Sequence, residues 1–286
     1  MRIKEILQRT DKGVSFEFFP PRNDKAKAAF GETVEILKAY NPLYVSMTYG
    51  AGGSAQDFTE AAVDTLLGYP SLTIMPHLTC IASNKETIRR LIDRYRNAGI
   101  ENIMALRGDL PEESALNGSA DFHFAIDLIR YLKKLNDFSI GAAVYPESHI
   151  ESESEEFDFD YTKRKIDAGA DFCVSQMFFD NSHFLRFMDK ARKAGISQPI
   201  LPGILPLTNI DKARQFSETC RVEIPQDIAA KLDSLKFNPR DMEKAGIEFT
   251  IDQCRDLISH GVKQLHFFTL NKPEIITTIL DALSIL

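Results

Sequence analysis

Ser15-Phe16-Glu17-Phe18-Phe19-Pro20-Pro21-Arg22 sets one carboxylate inside an aromatic run that two prolines end abruptly. Strand alternation turns Glu17 to the face opposite Phe16 and Phe18, and proline cannot donate to a sheet ladder, so the acid lies near a strand's C-terminal end. In a parallel barrel that end opens on the mouth where chemistry is done. A satisfied structural carboxylate is the competing reading of this segment alone.

Working outward, this first run covers Val14 to Phe18, and further short β-rich apolar runs follow at Leu43 to Met47, Leu72 to His77, Asn102 to Leu106, Ser139 to Val144, Phe172 to Gln176, Pro199 to Gly203 and Gln264 to Phe268. Helical patterns separate them. The clearest is Ile88, Leu91, Ile92 and Tyr95, with a Ser83-x-x-Glu86 capping box before it and Gly99 after it. Phe30/Val34/Leu37, Phe124/Leu128/Leu132/Leu135, Phe184/Phe187/Met188/Ala191 and Cys254/Leu257/Ile258 repeat the spacing. Gly99, Gly169, Gly195 and Gly261 each precede a strand by a few residues, as helix-terminating glycines followed by an apolar plug.

Alternating β and α elements imply parallel strands with right-handed crossovers, and this many close into a (β/α)8 TIM barrel more naturally than they extend as an open doubly wound sheet. The stretch from Gly203 to Gln264 is too long for one helix, and Pro225 and Pro239 read as first-turn prolines, so extra helices are expected before the last strand. Pro273 to Leu286 reads as a closing helix. No linker or composition shift divides residues 1–286, which are therefore expected to form a single catalytic domain.

The 286 residues carry a net charge of −7 and no Lys/Arg run, which argues against a nucleic-acid or anionic-membrane surface. No signal peptide or membrane span is legible, so the cytoplasm is the expected compartment. Cys80, Cys173, Cys220 and Cys254 form no C-x-x-C pair and join no metal-spaced histidines; they read as reduced thiols, and no metal is expected.

Unusual polar residues gather at or just after the C-terminal ends of the expected strands: Glu17, Thr48-Tyr49, His77, Arg107-Gly108-Asp109, Tyr145 with Glu147 and His149, Gln176, and Thr269 to Asn271. The strand beginnings are plain. A barrel enzyme shows this asymmetry because its βα loops build the site. Singly the signals are weaker. His77 reads equally as a core histidine, Gly50 to Gly53 lacks a dinucleotide-binding spacing, Phe178-Phe179 reads as core, and Arg164 and Lys165 read as a solvated helix face unless the acidic stretch Glu151 to Glu156 folds over the mouth. Arg107-Gly108-Asp109 combines strand exit, glycine and opposite charges, which suits close backbone approach to an anionic, ring-shaped ligand.

Those residues, with Pro76-His77-Leu78-Thr79-Cys80, Lys163 to Gly169, Gln176 to Asp180, Pro202 to Pro206 and His266 to Asn271, occur in an order that closely resembles the methylenetetrahydrofolate reductase family in its short bacterial form, from about residue 14 to 280. The resemblance implies an FAD-binding (β/α)8 barrel without the regulatory domain of eukaryotic members. It implies hydride transfer from NADH or NADPH to FAD, and then to 5,10-methylenetetrahydrofolate in a ping-pong sequence, giving 5-methyltetrahydrofolate for methionine synthesis. By that resemblance Glu17 is the general acid toward the folate, a role its setting suits, since an acid flanked by Phe16, Phe18 and Phe19 is drawn out of water. Asp109 would act near flavin and pterin, and Gln176 would face the flavin from the site shared by folate and nucleotide.

The FAD contacts so implied are Tyr49, Ala51, His77, Arg107, Gly108, Asp109, Ala125, Tyr145, His149, Asp158, Arg164 and Lys165, with Arg107, Arg164 and Lys165 toward the pyrophosphate and ribose. Thr48 and Phe216 would serve the nicotinamide nucleotide, and Leu270 and Lys272 the folate. Tyr161 stands where a small polar residue is expected, Ser152 replaces an alanine, Lys272 replaces an arginine, and Ala115 to Asp121 includes a short insertion. Family members commonly self-associate, so a homo-oligomer is expected. Another flavin-dependent barrel oxidoreductase, of the proline dehydrogenase kind, is the alternative, and a flavin-free folate-binding barrel a third reading.

Overall fold

The first strand, β1 (Gly13–Phe18), sends Val14, Phe16 and Phe18 outward into the main apolar core, where Phe18 meets the ring of Phe30 edge-on at 5.5 Å. The alternation leaves Ser15 and Glu17 facing inward. This computed structural model describes residues 1–49, 54–81, 83–109, 121–135 and 138–283. Ala51, the Gly50–Gly53 loop and the insertion up to residue 120 lie outside them.

The strands are β1, β2 (Val45–Met47), β3 (Ile74–Thr79), β4 (Asn102–Leu106), β5 (Ser139–Val144), β6 (Phe172–Met177), β7 (Ile200–Ile204) and β8 (Gln264–Phe268). All pair in parallel, each with the next, and β8 closes on β1 through Gly13↔Gln264 to Glu17↔Phe268, so the sheet is the expected TIM barrel. The helices are α1 (Ile3–Arg9), α2 (Asp24–Lys38), α3 (Ser54–Leu67), α4 (Lys85–Asn97), α5 (Ala125–Leu135), α6 (Glu155–Ala168), α7 (Asn181–Lys193), α8 (Ile210–Cys220), α9 (Gln226–Ser234), α10 (Pro239–Ser259) and α11 (Pro273–Leu283). Gly99, Gly169, Gly195 and Gly261 all have positive φ, the left-handed stop that spares the chain a Cβ clash.

Several local expectations shift. Asn84, not Ser83, caps α4 by accepting from Thr87 N. Pro225 stands at the N-cap of α9, whereas Pro239 does open α10. Phe124 precedes α5 and is 45% exposed instead of joining Leu128 and Leu132 in the core. The extra helices α8–α10 bury a second apolar cluster of their own, including Leu205, Ile210, Leu232 and Met242, against Met177 and Phe179.

The strand beginnings are not plain. Asn102 Oδ1 accepts from Ile3 N at 2.7 Å and Ser139 Oγ from Lys4 N at 3.1 Å, supplying partners for the otherwise open first turn of α1. Gln264 Nε2 donates to the Leu7 and Thr10 carbonyls at the other end of the helix. Ile3 and Leu7 join Tyr44, Met75, Met104, Phe172 and Leu201 in one cluster, so α1 closes the floor of the barrel. Among the described residues no helix is long and apolar enough to cross a membrane.

Candidate active site

The carboxylate of Glu17 is 7% exposed, at the C-terminal end of β1. Backbone contacts fix that end: Thr269 donates to Glu17 O from both N and Oγ1, Thr48 N donates to Phe18 O, and Asn271 exchanges two hydrogen bonds with Phe19. Its side-chain neighbours are imidazoles and not the phenylalanines. Glu17 Oε2 lies 3.4 Å from His77 Nε2 and 3.5 Å from His266 Nε2, and neither nitrogen makes a hydrogen bond. Phe16 and Phe18 point away into the outer core and Phe19 is 38% exposed. Burial holds the pKa of His77 below its usual value against the opposing pull of Glu17. His266 is fully buried, 2.8 Å through Nδ1 from Ser15 Oγ, and stacked on Tyr44 at 5.6 Å.

On the opposite arc of the rim, the ends of β4 and β5 with α5 and α6 frame a cleft. Ala105, Ala125 and Ala143 give it flat walls, and Phe124, Phe157 and Tyr161 an aromatic edge, with Tyr161 5.6 Å from Phe124 and 5.8 Å from Phe157. Its charged lining residues are Arg107, Glu151, Asp158 and Lys165. Lys165 is buried, donates to Ala143 O at 2.7 Å and lies over the Tyr145 ring; burial lowers its pKa while Asp158 pulls it up. Burial raises the pKa of Asp158 and lowers that of His149, whose ring meets Tyr145 edge-on at 4.8 Å. Arg107 donates to Glu151 through both terminal nitrogens, at 2.5 and 2.7 Å. Of the acidic stretch after β5, Glu151 thus folds onto the mouth, whereas Glu155 and Glu156 open α6 and are exposed. Gly108 follows with φ +87°, where a Cβ would stand 2.9 Å from Ile81 and 3.0 Å from Thr79.

The cleft therefore gathers Arg107, Ala125, Tyr145, His149, Asp158 and Lys165 from the expected contacts. Others lie elsewhere. His77 sits inside the barrel against Glu17. Tyr49 packs on the outer core with Glu60 and Arg90 as its charged neighbours, and burial pushes its pKa up to about 12. Arg164 is exposed, its guanidinium 4.7 Å from the centre of the Tyr161 ring, and it is not among the residues lining the cleft. Asp109 is exposed, within electrostatic reach of Cys220 and Tyr145. Gln176, half-buried at the end of β6, accepts from Met177 N at 3.0 Å and points its amide nitrogen at Cys220 Sγ, 3.6 Å away. Phe216 on α8 is 36% exposed, Leu270 has φ +48°, and Lys272 is half-buried beyond β8.

Sequence reasoning did not single out Ser15, Tyr44, Glu151 or Phe157 as site residues, nor His266 as a partner of Glu17. Strand alternation from Phe268 carries a signal for His266, since it turns that ring inward. A planar, phosphate-bearing cofactor such as FAD fits these donors: the alanines leave room for a ring, the aromatic edge offers stacking, and Arg107, His149 and Lys165 are the polar groups a pyrophosphate needs. Among the described residues no group of three His, Cys, Asp or Glu side chains could hold a metal ion.

A closed parallel barrel with a buried acid on one side of its rim and an aromatic-edged cleft holding Arg107 and Lys165 on the other defines an enzyme of the TIM-barrel class. The methylenetetrahydrofolate reductase family model matches residues 2–284. The chain is 38% identical over 272 residues to the 5,10-methylenetetrahydrofolate reductase of Pectobacterium carotovorum subsp. carotovorum, covering 95% of this chain and 90% of that one. It is 35% identical over 283 residues to methylenetetrahydrofolate reductase (NADH) 1 of Arabidopsis thaliana, covering 94% of this chain and 48% of that one. An uncharacterized Clostridium thermocellum protein that binds two copies of 5-methyl-5,6,7,8-tetrahydrofolic acid superposes with a TM-score of 0.68 at 15% identity, over 100% of this chain and 99% of that one, a likeness of fold. The chain belongs to the methylenetetrahydrofolate reductase family.

Proposed function

We propose that the barrel reduces 5,10-methylenetetrahydrofolate to 5-methyltetrahydrofolate with FAD as cofactor and NADH or NADPH as donor, one reactant at a time, and so feeds methionine synthesis. The observation that carries this reading is the pairing, on one rim, of an acid buried between two imidazoles with a cleft whose walls suit a flavin nucleotide. When bound, FAD supplies the capacity to accept a hydride and pass it on. The residues do the rest.

Arg107 and Lys165 hold the phosphates, Ala125 and Tyr145 bound the ring-shaped parts, and Asp158 orients the ribose beside His149. Glu17 donates its proton to the folate nitrogen so that the imidazolidine ring opens, and the neighbouring His77 and His266 keep water from the carboxylate. Asp109 and Gln176 orient the pterin from the β4 and β6 ends. Thr48 and Phe216 serve the nicotinamide nucleotide, Phe216 as a stacking face, and Leu270 and Lys272 line the folate's outer part. That the Clostridium thermocellum protein, of like fold, binds 5-methyl-5,6,7,8-tetrahydrofolic acid supports a folate as ligand.

The test is an absorption spectrum. Reconstitution with FAD should give a yellow protein whose flavin band bleaches with NADH or NADPH and returns on adding methylenetetrahydrofolate. A chain that takes up no FAD refutes the proposal.

A further inference from the structure

Among the described residues the four charged ones lining the cleft cancel: Arg107 is paired with Glu151, and Lys165 shares its surroundings with Asp158. A site meant for a doubly charged phosphate ester is normally left with excess positive charge. Asp158 is buried on α6, where its helix leaves it little room to swing aside. Glu151 can swing, because it sits on the short connection between β5 and α6 with a side chain 44% exposed, while its two carboxylate oxygens occupy both ends of the Arg107 fork. A phosphate would bind that fork in the same bidentate way.

From this geometry we infer that Glu151 is a built-in competitor for the phosphate at Arg107, so that the cofactor enters by displacing a carboxylate the protein itself supplies. The inference rests on the flavin reading above and adds to it a residue that sets how readily the cofactor is taken up and released. The turn carrying Glu151 is tied to the site, since Glu151 N donates to His149 Nδ1 at 3.1 Å and Ser152 N to His149 O at 2.8 Å. The carboxylate that holds Arg107 thus stands on the same turn whose backbone contacts the His149 ring.

The experiment measures dissociation constants of the nucleotide-free full chain for FAD, by flavin fluorescence, and for ADP, by calorimetry. It compares wild type, Glu151→Gln, Arg107→Ala and the double variant. Glu151→Gln should tighten both ligands about tenfold, equivalent to about 1.4 kcal/mol, and the gain should vanish when Arg107 is absent. Unchanged or weaker binding in Glu151→Gln, or a gain that persists in the Arg107→Ala background, overturns the inference. Glu151→Ala repeats the measurement without any side-chain amide. If ADP binding tightens but FAD never binds, the flavin reading falls and the competition stands. If FAD binds and reacts but Glu151→Gln brings no gain, the competition falls alone.

Discussion

Ser15 and His266 face each other across the seam where the first and last strands join, with Ser15 Oγ 2.8 Å from His266 Nδ1, and that contact aims the far ring nitrogen at Glu17 Oε2, 3.5 Å away. The acid is thus set by residues on three strands, with His77 of β3 completing its surroundings.

Removing the proton of Glu17 while keeping its shape should separate the two halves of the reaction. Glu17→Gln should leave flavin reduction by the nicotinamide nucleotide within a few-fold and slow folate reduction by about 10² or more. Stopped-flow traces of each half-reaction check this. Equal losses in both would assign Glu17 to the structure of the mouth.

Stability should fall in mild acid because buried His77 stays neutral when folded. The unfolded imidazole takes up a proton near pH 6.5, whereas burial depresses the folded value, so stability is full above about pH 6.5 and is lost as pH falls toward the folded pKa. One such histidine gives a slope of at most about 1.4 kcal/mol per pH unit. Urea unfolding between pH 7.5 and 5.5 should show a shallower slope for His77→Asn; an identical slope would assign the effect to other groups, of which His149, also held low, is the first candidate.

Gly108→Ala should cost about 1–3 kcal/mol, since it combines a left-handed φ with a Cβ pressed on Ile81 and Thr79. Because Gly108 O also accepts from Arg107 Nε at 3.1 Å, flavin affinity should drop with stability. Parallel urea and fluorescence titrations read both, and an unstrained, fully binding variant contradicts this account.

Tyr161→Asn removes the ring that joins Phe124, Phe157 and the Arg164 guanidinium. Such contacts contribute about 0.5–1.5 kcal/mol, so FAD should bind roughly 2- to 13-fold more weakly. FMN, which has no adenine to stack, should be unaffected, and equal weakening of the two would move the aromatic edge out of the cofactor's path.

The barrel was legible because alternation and helical spacing are local. β4, β5 and β8 fall where the pattern puts them, and the inward turn of Glu17 follows from its two neighbours alone. Ends were less legible. The run from Leu72 was expected to begin β3, but Leu72 closes a turn by donating to Tyr69 O, and the strand starts at Ile74. The site's pairings lay further out of reach. Ser15 and His266 are 251 positions apart and Arg107 and Glu151 are 44 apart, so each pair depends on barrel closure or on a loop's path. Position after a strand end supplied Arg107, Tyr145 and His149, and family resemblance added Ala125, Asp158 and Lys165, yet Arg164 followed the helix surface and His77 the barrel interior.

The plug formed by α1 turns the cylinder into a cup. Ile3 and Leu7 are wedged beneath the sheet, with the backbone of Ile3 tied to Asn102, that of Lys4 to Ser139 and that of Leu7 to Gln264, so the lower end of the cylinder is covered. On the proposed function, donor and acceptor would both come to the opposite rim, where the one-at-a-time order of that proposal would let each use the same cleft in turn.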